Sequence, residues 1–197
     1  MSGLVIVHTG CANISSLKFA VERLGYDVTV SEDIDIIKNA DKVFVPGVGA
    51  AAAAMAQIAD KGLTECLQTL TQPVLGICLG MQLLTKRSEE GNADCLGVID
   101  TQVKRMTSEE LRLPHMGWNQ ISKTKEHPLF DGIENGTYFY FVHGFAVETG
   151  DHSLAVCDYT QPFSASICNS NYMGVQFHPE RSGSAGSQLL RNFIEKV

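Results

Sequence analysis

Short apolar segments alternate with helix-like segments through the first half of the chain, and this alternation constrains the fold more than any other feature. Such alternation is typical of strand–helix units that build a parallel sheet. Strands are predicted at Leu4–His8, Asp27–Val30, Lys42–Val45 and Pro73–Ile77, and helices at Ile14–Leu24 and Ala50–Ile58. We therefore expect an α/β fold with a mostly parallel central sheet, helices on both faces, and ligands at the carboxyl ends of the strands.

The second half of the chain is richer in predicted strands, and we expect part of it to be antiparallel. The predicted strands are Leu96–Val103, Tyr138–Val147, Leu154–Tyr159, Phe163–Cys168 and Met173–Phe177. An amphipathic pattern predicts a closing helix at Ser187–Lys196. Because no linker-like segment separates the two halves, residues 1–197 are predicted to form a single domain.

Charge and cysteine content argue against several classes of protein. The net charge is -7 and the Lys and Arg residues are scattered, so we do not expect a nucleic-acid partner. The six cysteines form no CxxC pair, and there is neither a secretory signal nor a run of membrane-spanning length. This indicates a cytoplasmic protein with reduced thiols, and we expect no metal and no cofactor.

Cys78 lies between Gly76 and Gly80, directly after an apolar strand and before a predicted helix. This is the pattern of a nucleophile elbow, in which a tight turn pushes a reactive side chain out of the sheet. Glycines avoid Cβ clashes there, and the helix N-terminus favours a thiolate. The alternative is a buried cysteine that packs as a small hydrophobe, which is our interpretation of the other cysteines.

A cysteine nucleophile needs a base, and the base needs an acceptor that fixes its tautomer. His178 and Glu180 follow an apolar strand, and in an extended segment they would project to the same side. The alternative is a surface histidine beside a surface glutamate. The other histidines lack a neighbouring carboxylate at the end of an apolar strand: His8, His115, His127, His143 and His152.

A second oxyanion donor is expected from another strand end. The turn Pro46–Gly49 follows the third predicted strand, and its glycines leave the backbone accessible. We predict oxyanion donors at Leu79, after the nucleophile, and at Val48 and Gly49. A plain strand-to-helix turn is the alternative, and the Gly-Lys-Ser/Thr ending of a phosphate loop is absent.

Together, Pro46–Gly49, Gly76–Gln82 and Gln176–Glu180 resemble the class I, or triad, glutamine amidotransferases, whose fold is flavodoxin-like. The resemblance implies that Cys78 attacks the carboxamide of glutamine to form a glutamyl thioester. It also implies that His178 is the acid and base, oriented by Glu180.

Four further segments narrow the resemblance to the glutaminase subunit of imidazole glycerol phosphate synthase: Thr9–Asn13, Pro114–Asn119, Tyr138–His143 and His178–Gly183. It covers nearly the whole chain. It implies a heterodimer in histidine biosynthesis, in which a separate (β/α)8-barrel cyclase subunit receives the ammonia. The cyclase would form imidazole glycerol phosphate and aminoimidazole carboxamide ribotide.

The resemblance also implies glutamine contacts at Gly47, Gln82, Glu90, Gly144 and Phe145. Gln82 and Glu90 match positions that contact the amino-acid end of glutamine, with a solvated helix face and a polar turn as their alternatives. The family usually has Ser or Thr followed by Tyr where this chain has Gly144 and Phe145. Backbone contacts survive this change, but a hydroxyl contact is lost, so weaker glutamine binding or a substituting water is expected.

Three positions match the family's cyclase-facing surface: Asn13, Tyr140 and Arg181. Their alternatives are a helix cap, a core residue and a solvated charge, respectively. In the family, glutaminase activity rises when the cyclase binds its ligand. The turn around Val48 is therefore expected to be incompletely formed at rest.

Three other functions compete with this interpretation. One is a different class I amidotransferase, feeding ammonia to pyridoxal phosphate, anthranilate or aminodeoxychorismate synthesis, against which Pro114–Asn119 argues. Another is a non-catalytic binding module, against which the intact Cys78, His178 and Glu180 argue. The third is a self-contained cysteine peptidase, for which the chain leaves little room to add a substrate cleft.

Overall fold

The strands form a large mixed sheet, a smaller mixed sheet and a two-stranded ribbon, as seen in a computed structural model that describes residues 3–10 and 13–197. The strands are β1 Leu4–Val7, β2 Val28–Ser31, β3 Lys42–Gly47, β4 Val74–Cys78, β5 Thr85–Ser88, β6 Ala93–Asp94, β7 Ile99–Arg105, β8 His115–Gln120, β9 Ser122–Lys123, β10 Tyr138–His143, β11 Phe145–Val147, β12 Ser153–Asp158, β13 Pro162–Asn169 and β14 Tyr172–Val175. The helices are α1 Ile14–Arg23, α2 Ile34–Lys38, α3 Ala51–Asp60, α4 Thr64–Gln68, α5 Leu79–Leu83 and α6 Gly183–Lys196.

The large sheet has the order β2-β1-β3-β4-β14-β13-β12-β9. Its first five strands run parallel, and β13, β12 and β9 add antiparallel pairings. The predicted α/β class, with a mostly parallel sheet and an antiparallel portion, is therefore confirmed. Because β3, β4 and β14 are parallel neighbours, the segments that follow them meet at one edge of the sheet.

Both faces of the parallel strands are buried, as continuous apolar strands require. In β1, Leu4 and Ile6 belong to one core cluster, whereas Val5 and Val7 belong to another. This division follows the alternation of side chains along a strand. Helix α6 packs on the first side, where Phe193 contacts Phe44 edge to face with ring centroids 4.9 Å apart.

Residues 138–147, predicted as one strand, are two strands in different sheets. The break is at Gly144: β10 pairs with β8 in the ribbon, whereas β11 pairs with β7 in the smaller sheet. The pattern of apolar residues continues across Gly144, so it does not reveal the change of partner. Six short elements were not predicted from the sequence: α2, α4, β5, β6, β8 and β9.

The junction between β4 and α5 depends on close backbone packing. A Cβ on Gly80 would lie 1.7 Å from the carbonyl oxygen of Val45, and a Cβ on Gly76 would lie 2.7 Å from the backbone of Gly80. Only glycine fits at both positions, so α5 can begin directly against β3. Within the described segments, no helix is both long and apolar enough to cross a membrane.

Candidate active site

A pocket of about 280 Å³ lies where β3, β4 and β14 end. Its lining includes the predicted nucleophile and base, all predicted oxyanion donors and most predicted glutamine contacts. The lining residues are Val48, Gly49, Cys78, Leu79, Gln82, Glu90, Val142, His143, Gly144, Phe145 and His178. The fold thus brings together residues from separate parts of the sequence at the edge where a ligand site was expected.

Cys78 is the last residue of β4 and has φ 54° and ψ -112°. Few non-glycine residues adopt such a backbone, and this strain is typical of functional turns. Cys78 as a whole is 7% exposed. Its Sγ lies 3.9 Å from the carbonyl oxygen of Val142 and 3.8 Å from Nε2 of Gln176. The strained turn therefore holds the thiol at the wall of the pocket.

His178 is buried and held from both its backbone and its ring. Its N–H donates to the carbonyl oxygen of Tyr140 at 2.9 Å, and its Nδ1 lies 2.8 Å from Oε1 of Glu180. Its Nε2 has no hydrogen-bond partner among the described residues. Burial disfavours the imidazolium, but the interactions with Cys78 and Glu180 outweigh this and raise the pKa of His178 to about 10.

The contact between His178 and Glu180 does not arise in the way the sequence suggested. Pro179–Arg181 is a 3₁₀ turn, so the two side chains are not on one side of an extended strand. The hydroxyl of Ser182 donates to the carbonyl oxygen of His178 at 2.7 Å and fixes this turn. The turn brings the carboxylate against the ring, and the Glu180 side chain is only 1% exposed.

The predicted oxyanion donors lie on two adjacent turns. Leu79 is the first residue of α5, where an N–H has no partner within its own helix. Val48 and Gly49 line the same pocket from the end of β3, and Gly49 has φ 99°. Gly47 lies behind this lining, since a Cβ there would be 3.1 Å from the backbone nitrogen of Gly80. It supports the turn from behind.

Gln82 is buried rather than on a solvated helix face, and Glu90 lies half-buried on the polar turn; both have specific partners in the described chain. Nε2 of Gln82 donates to the carbonyl oxygen of Phe145 at 3.0 Å and to Oε1 of Gln176 at 2.9 Å. Oε2 of Glu90 accepts from the N–H of Ala51 at 3.2 Å, at the start of α3. This bond ties Glu90 to the helix that follows the predicted oxyanion turn.

Gly144 and Phe145 also line the pocket. The ring of Phe145 lies under the guanidinium of Arg105, 4.9 Å from Cζ to the ring centroid. A cation over an aromatic face is an attractive contact that does not need a hydroxyl. The ring is therefore held even though the hydroxyl usual in the family is absent.

The three predicted interface residues lie outside this pocket lining. Nδ2 of Asn13 donates to Oε1 of Glu180 at 2.6 Å, and Asn13 makes no side-chain cap bond to α1. Tyr140 is half-buried and contacts Trp118 edge to face at 6.1 Å, and Arg181 is exposed. The alternative of Asn13 as a helix cap is therefore wrong, because its amide is turned toward the triad instead.

Sequence reasoning missed Gln176 and the placement of His143 beside the pocket. His143 lacks a carboxylate neighbour, and its ring nitrogens lie within hydrogen-bond distance of the Phe145 carbonyl oxygen and of His115. Gln176 gave no separate signal because it lies within the apolar run before His178. Both residues reach the site only through strand pairing.

Comparison with known proteins identifies the family. Residues 3–197 match the model of the family described as glutamine amidotransferase class-I. The chain is a class-I glutamine amidotransferase. This amidotransferase is also similar, over its whole length, to curated bacterial proteins named imidazole glycerol phosphate synthase subunit HisH.

The relative from Vibrio cholerae serotype O1 is 54% identical over 198 residues, with 98% of each chain covered. The relative from Pasteurella multocida is 52% identical, with 100% of each chain covered. The relative from Haemophilus influenzae strain 86-028NP is 53% identical, with 100% of this amidotransferase and 99% of the relative covered. Such identity over nearly the full length indicates a closer relationship than a shared fold alone.

Solved structures of lower identity share the fold. A glutamine amidotransferase matches with a TM-score of 0.75 at 18% identity, and 98% of each chain is covered. A glutamine amidotransferase from Thermotoga maritima matches with a TM-score of 0.70 at 15% identity, covering 100% of this amidotransferase and 98% of that chain. These likenesses support the fold of this amidotransferase, but they do not indicate which molecule accepts its ammonia.

Proposed function

We propose that this chain is the glutaminase subunit of imidazole glycerol phosphate synthase and that it hydrolyses L-glutamine to L-glutamate and ammonia. The observation that carries the chemistry is that Cys78 and His178 line one pocket, with Glu180 bonded to the far side of the imidazole. Relatives that are 52–54% identical over the full length carry that subunit name, which supports the pathway. The cytoplasm is the proposed compartment, where the free cysteines of the described chain would stay reduced.

In the first half of the reaction, Sγ of Cys78 attacks the carboxamide carbon of glutamine. Because the pKa of His178 is raised to about 10, its Nε2, the ring atom that is free of other partners in the described chain, already holds the proton of the Cys78–His178 pair when the attack begins. The N–H groups of Leu79 and of the Val48–Gly49 turn stabilise the tetrahedral oxyanion, each by about 3 kcal/mol. His178 then protonates the leaving nitrogen, ammonia departs, and a glutamyl thioester remains on Cys78.

In the second half, His178 takes a proton from water, and the resulting hydroxide attacks the thioester carbonyl. The same oxyanion donors stabilise the second tetrahedral intermediate. Its collapse releases L-glutamate and frees Sγ of Cys78, and the proton stays on Nε2 of His178. Glu180 keeps Nδ1 of His178 as a donor throughout, so that Nε2 is the atom that exchanges protons.

Glutamine recognition is assigned to Gln82, Glu90, Gly144 and Phe145, which line the same pocket as the thiol. Both hydrogen bonds of Gln82 come from its Nε2, so its Oε1 is the atom able to accept from the α-ammonium of glutamine. Glu90 adds a carboxylate for the same ammonium, and the backbone of Gly144 and Phe145 contacts the amino-acid end. Gly47 supports the oxyanion turn beside them.

An exposed apolar face on the β8–β10 ribbon is the proposed docking surface for the cyclase subunit. Met116, Trp118 and Tyr138 are 64%, 55% and 53% exposed, and such a patch marks an interaction site. The strand pairing sets Tyr140 opposite Trp118 on this face, and Arg181 is exposed on the turn after His178. The backbone carbonyl oxygen of Tyr140 also accepts a hydrogen bond from the N–H of His178, so the docking surface adjoins the triad.

The proposed partner is a (β/α)8-barrel cyclase that receives the ammonia internally. It would combine the ammonia with phosphoribulosyl-formimino-aminoimidazole carboxamide ribotide, giving imidazole glycerol phosphate and aminoimidazole carboxamide ribotide. Incomplete formation of the Val48–Gly49 oxyanion turn in the free subunit is part of the proposal. Binding of the ribotide to the cyclase then completes the turn and raises glutaminase activity.

The decisive experiment measures glutamate release by the purified chain alone, with a cyclase subunit, and with the cyclase subunit and its ribotide. Low basal turnover that rises strongly in the last condition is expected. Cys78→Ser should abolish turnover in all three conditions. Cys95→Ser is the matched control, because burial raises the pKa of the Cys95 thiol to about 11 and leaves it unreactive.

The outcomes separate the parts of the proposal. Wild-type turnover by Cys78→Ser would remove the assigned nucleophile. Glutamine hydrolysis without association with the cyclase would leave the chemistry standing and overturn the pathway. Trp118→Ala should weaken binding to the cyclase by about thirtyfold, as expected for a central tryptophan. Ile36→Ala, which removes a similarly exposed apolar side chain from α2, should not weaken it.

A further inference from the structure

Two buried histidines face each other across the ribbon and take no part in the proton transfers described above. His115 on β8 and His143 on β10 are cross-strand partners, and they are 2% and 6% exposed. Nδ1 of His115 lies 3.0 Å from Nε2 of His143. Buried polar rings in direct contact need a defined set of donors and acceptors, and the neighbouring groups supply it.

The hydrogen bonds run in series from Asn119 through His115 and His143 to the carbonyl oxygen of Phe145, and the groups at the two ends fix the direction of each bond. Nδ1 of His143 lies 2.8 Å from the carbonyl oxygen of Phe145, which can only accept, so Nδ1 carries the proton. Nε2 of His143 then accepts from Nδ1 of His115. Nε2 of His115 accepts in turn from Nδ2 of Asn119, at 3.4 Å.

Burial keeps both rings neutral and keeps this assignment in place. It lowers the pKa of His143 to about 3 and the pKa of His115 to about 4. The ring of His115 also stacks on Tyr159, with centroids 4.0 Å apart and planes at 20°, and on Phe141 at 5.0 Å. The ring is therefore clamped on its faces as well as bonded at its edges.

The chain of contacts ends on the glutamine pocket. The carbonyl oxygen of Phe145 accepts from His143 and also from Nε2 of Gln82 at 3.0 Å. Gln82 donates in turn to Oε1 of Gln176, whose Nε2 lies 3.8 Å from Sγ of Cys78. A single carbonyl thus joins the two histidines to the amide that recognises glutamine and to the neighbourhood of the thiol.

We propose that His115 is a positioning residue for glutamine binding: by donating to His143 it fixes the Phe145 carbonyl, and with it the orientation of the Gln82 amide. This rests on the proposed role of Gln82 and the Gly144–Phe145 backbone in holding glutamine. His115 touches neither the pocket nor the reacting atoms. Its loss should therefore weaken glutamine binding and leave the chemical step intact.

The test compares His115→Phe with His115→Gln in the complex with the cyclase subunit and its ribotide, at saturating partner. His115→Phe keeps a flat ring for stacking but removes the donor, and it should raise the KM for glutamine by about tenfold with kcat within about twofold. His115→Gln keeps a donor and should recover most of the wild-type KM. The rate of alkylation of Cys78 by iodoacetamide should be unchanged in both variants.

His152→Phe is the control, because His152 lies on a partly exposed turn outside the pocket and its ring bonds to the carbonyl oxygen of Glu148. An unchanged KM for glutamine in His115→Phe would overturn the proposal. An equal rise in KM in His115→Phe and His115→Gln would also overturn it. A parallel loss of kcat and thermal stability with KM unchanged would also overturn it, by showing a purely structural role.

If His115→Phe does not fold, Asn119→Leu serves instead. It removes the donor to Nε2 of His115 and frees that ring to exchange tautomers, so KM should rise about threefold. An unchanged KM in this variant would equally overturn the proposal. Absence of glutamine hydrolysis by the wild-type complex would be a different result, since it would reject the proposed function itself.

Discussion

Asn13 and Glu180, which are 167 residues apart in the sequence, are joined by a hydrogen bond of 2.6 Å from Nδ2 of Asn13 to Oε1 of Glu180. The same carboxylate oxygen lies 2.8 Å from Nδ1 of His178. Asn13 precedes α1, on the surface predicted to face the cyclase, and its left-handed backbone, φ 80°, turns the amide toward the triad. A residue of the predicted interface therefore contacts the group proposed to orient the catalytic base.

The first prediction concerns this contact. Asn13→Ala should lower glutaminase kcat by about tenfold, because a carboxylate that loses a charge-assisted hydrogen bond orients His178 less well. Asn13→Asp should lower it further, since a second carboxylate repels Glu180. The measurement is glutamate release by the free subunit, which excludes effects on docking. Wild-type activity in Asn13→Asp would show that the bond from the Asn13 amide to Glu180 does not support catalysis.

A second prediction concerns the packing of the elbow. Gly80→Ala should lower the free energy of unfolding by more than about 3 kcal/mol and abolish activity, since the new Cβ would overlap the Val45 carbonyl oxygen. Urea unfolding measures the loss. Gly3→Ala is the matched control, because a Cβ there has no contact shorter than 3.6 Å. Equal stability of the two variants would contradict the observed packing of α5 on β3.

A third prediction follows from the departure at Phe145. Phe145→Tyr should lower the KM for glutamine by about tenfold, if the added hydroxyl makes the bond that is usual in the family. The ring should keep its place under Arg105, because tyrosine preserves the aromatic face. Steady-state kinetics across glutamine concentrations provide the test. Phe19→Tyr, at an exposed position on α1, is the control. An unchanged KM would show that the pocket gains nothing from the hydroxyl.

A fourth prediction concerns acid stability. The pKa values of His143 and His115 are lowered to about 3 and about 4 from 6.5, so between pH 6.5 and 4 the unfolded chain binds protons that the native chain does not. The free energy of unfolding should therefore fall as the pH falls through this window. Urea unfolding at several pH values measures the slope. His115→Phe removes one titrating ring and should make this slope shallower. An equal slope in the wild type and in His115→Phe would show that the buried histidines do not cause the loss of stability.

The sequence by itself determined the features that depend on neighbouring residues. Apolar runs and helical spacing gave the parallel strands that lead to the site, because burial on both faces of a strand requires a continuous apolar segment. The glycines around Cys78 indicated the elbow, since a tight strand-to-helix turn excludes side chains at those positions. His178 and Glu180 were predicted to meet because they are two residues apart.

Only the tertiary structure decided what depends on distant pairing. It placed Asn13 against Glu180, set Gln176 beside Cys78, and moved the chain from one sheet to another at Gly144. It also showed that a 3₁₀ turn, rather than an extended segment, brings Glu180 to His178. These contacts join residues whose local patterns are ordinary, and the energy that selects them comes from strand register and burial across the whole sheet. The sequence therefore indicated which residues are proposed to react, and the fold decided what holds them in place.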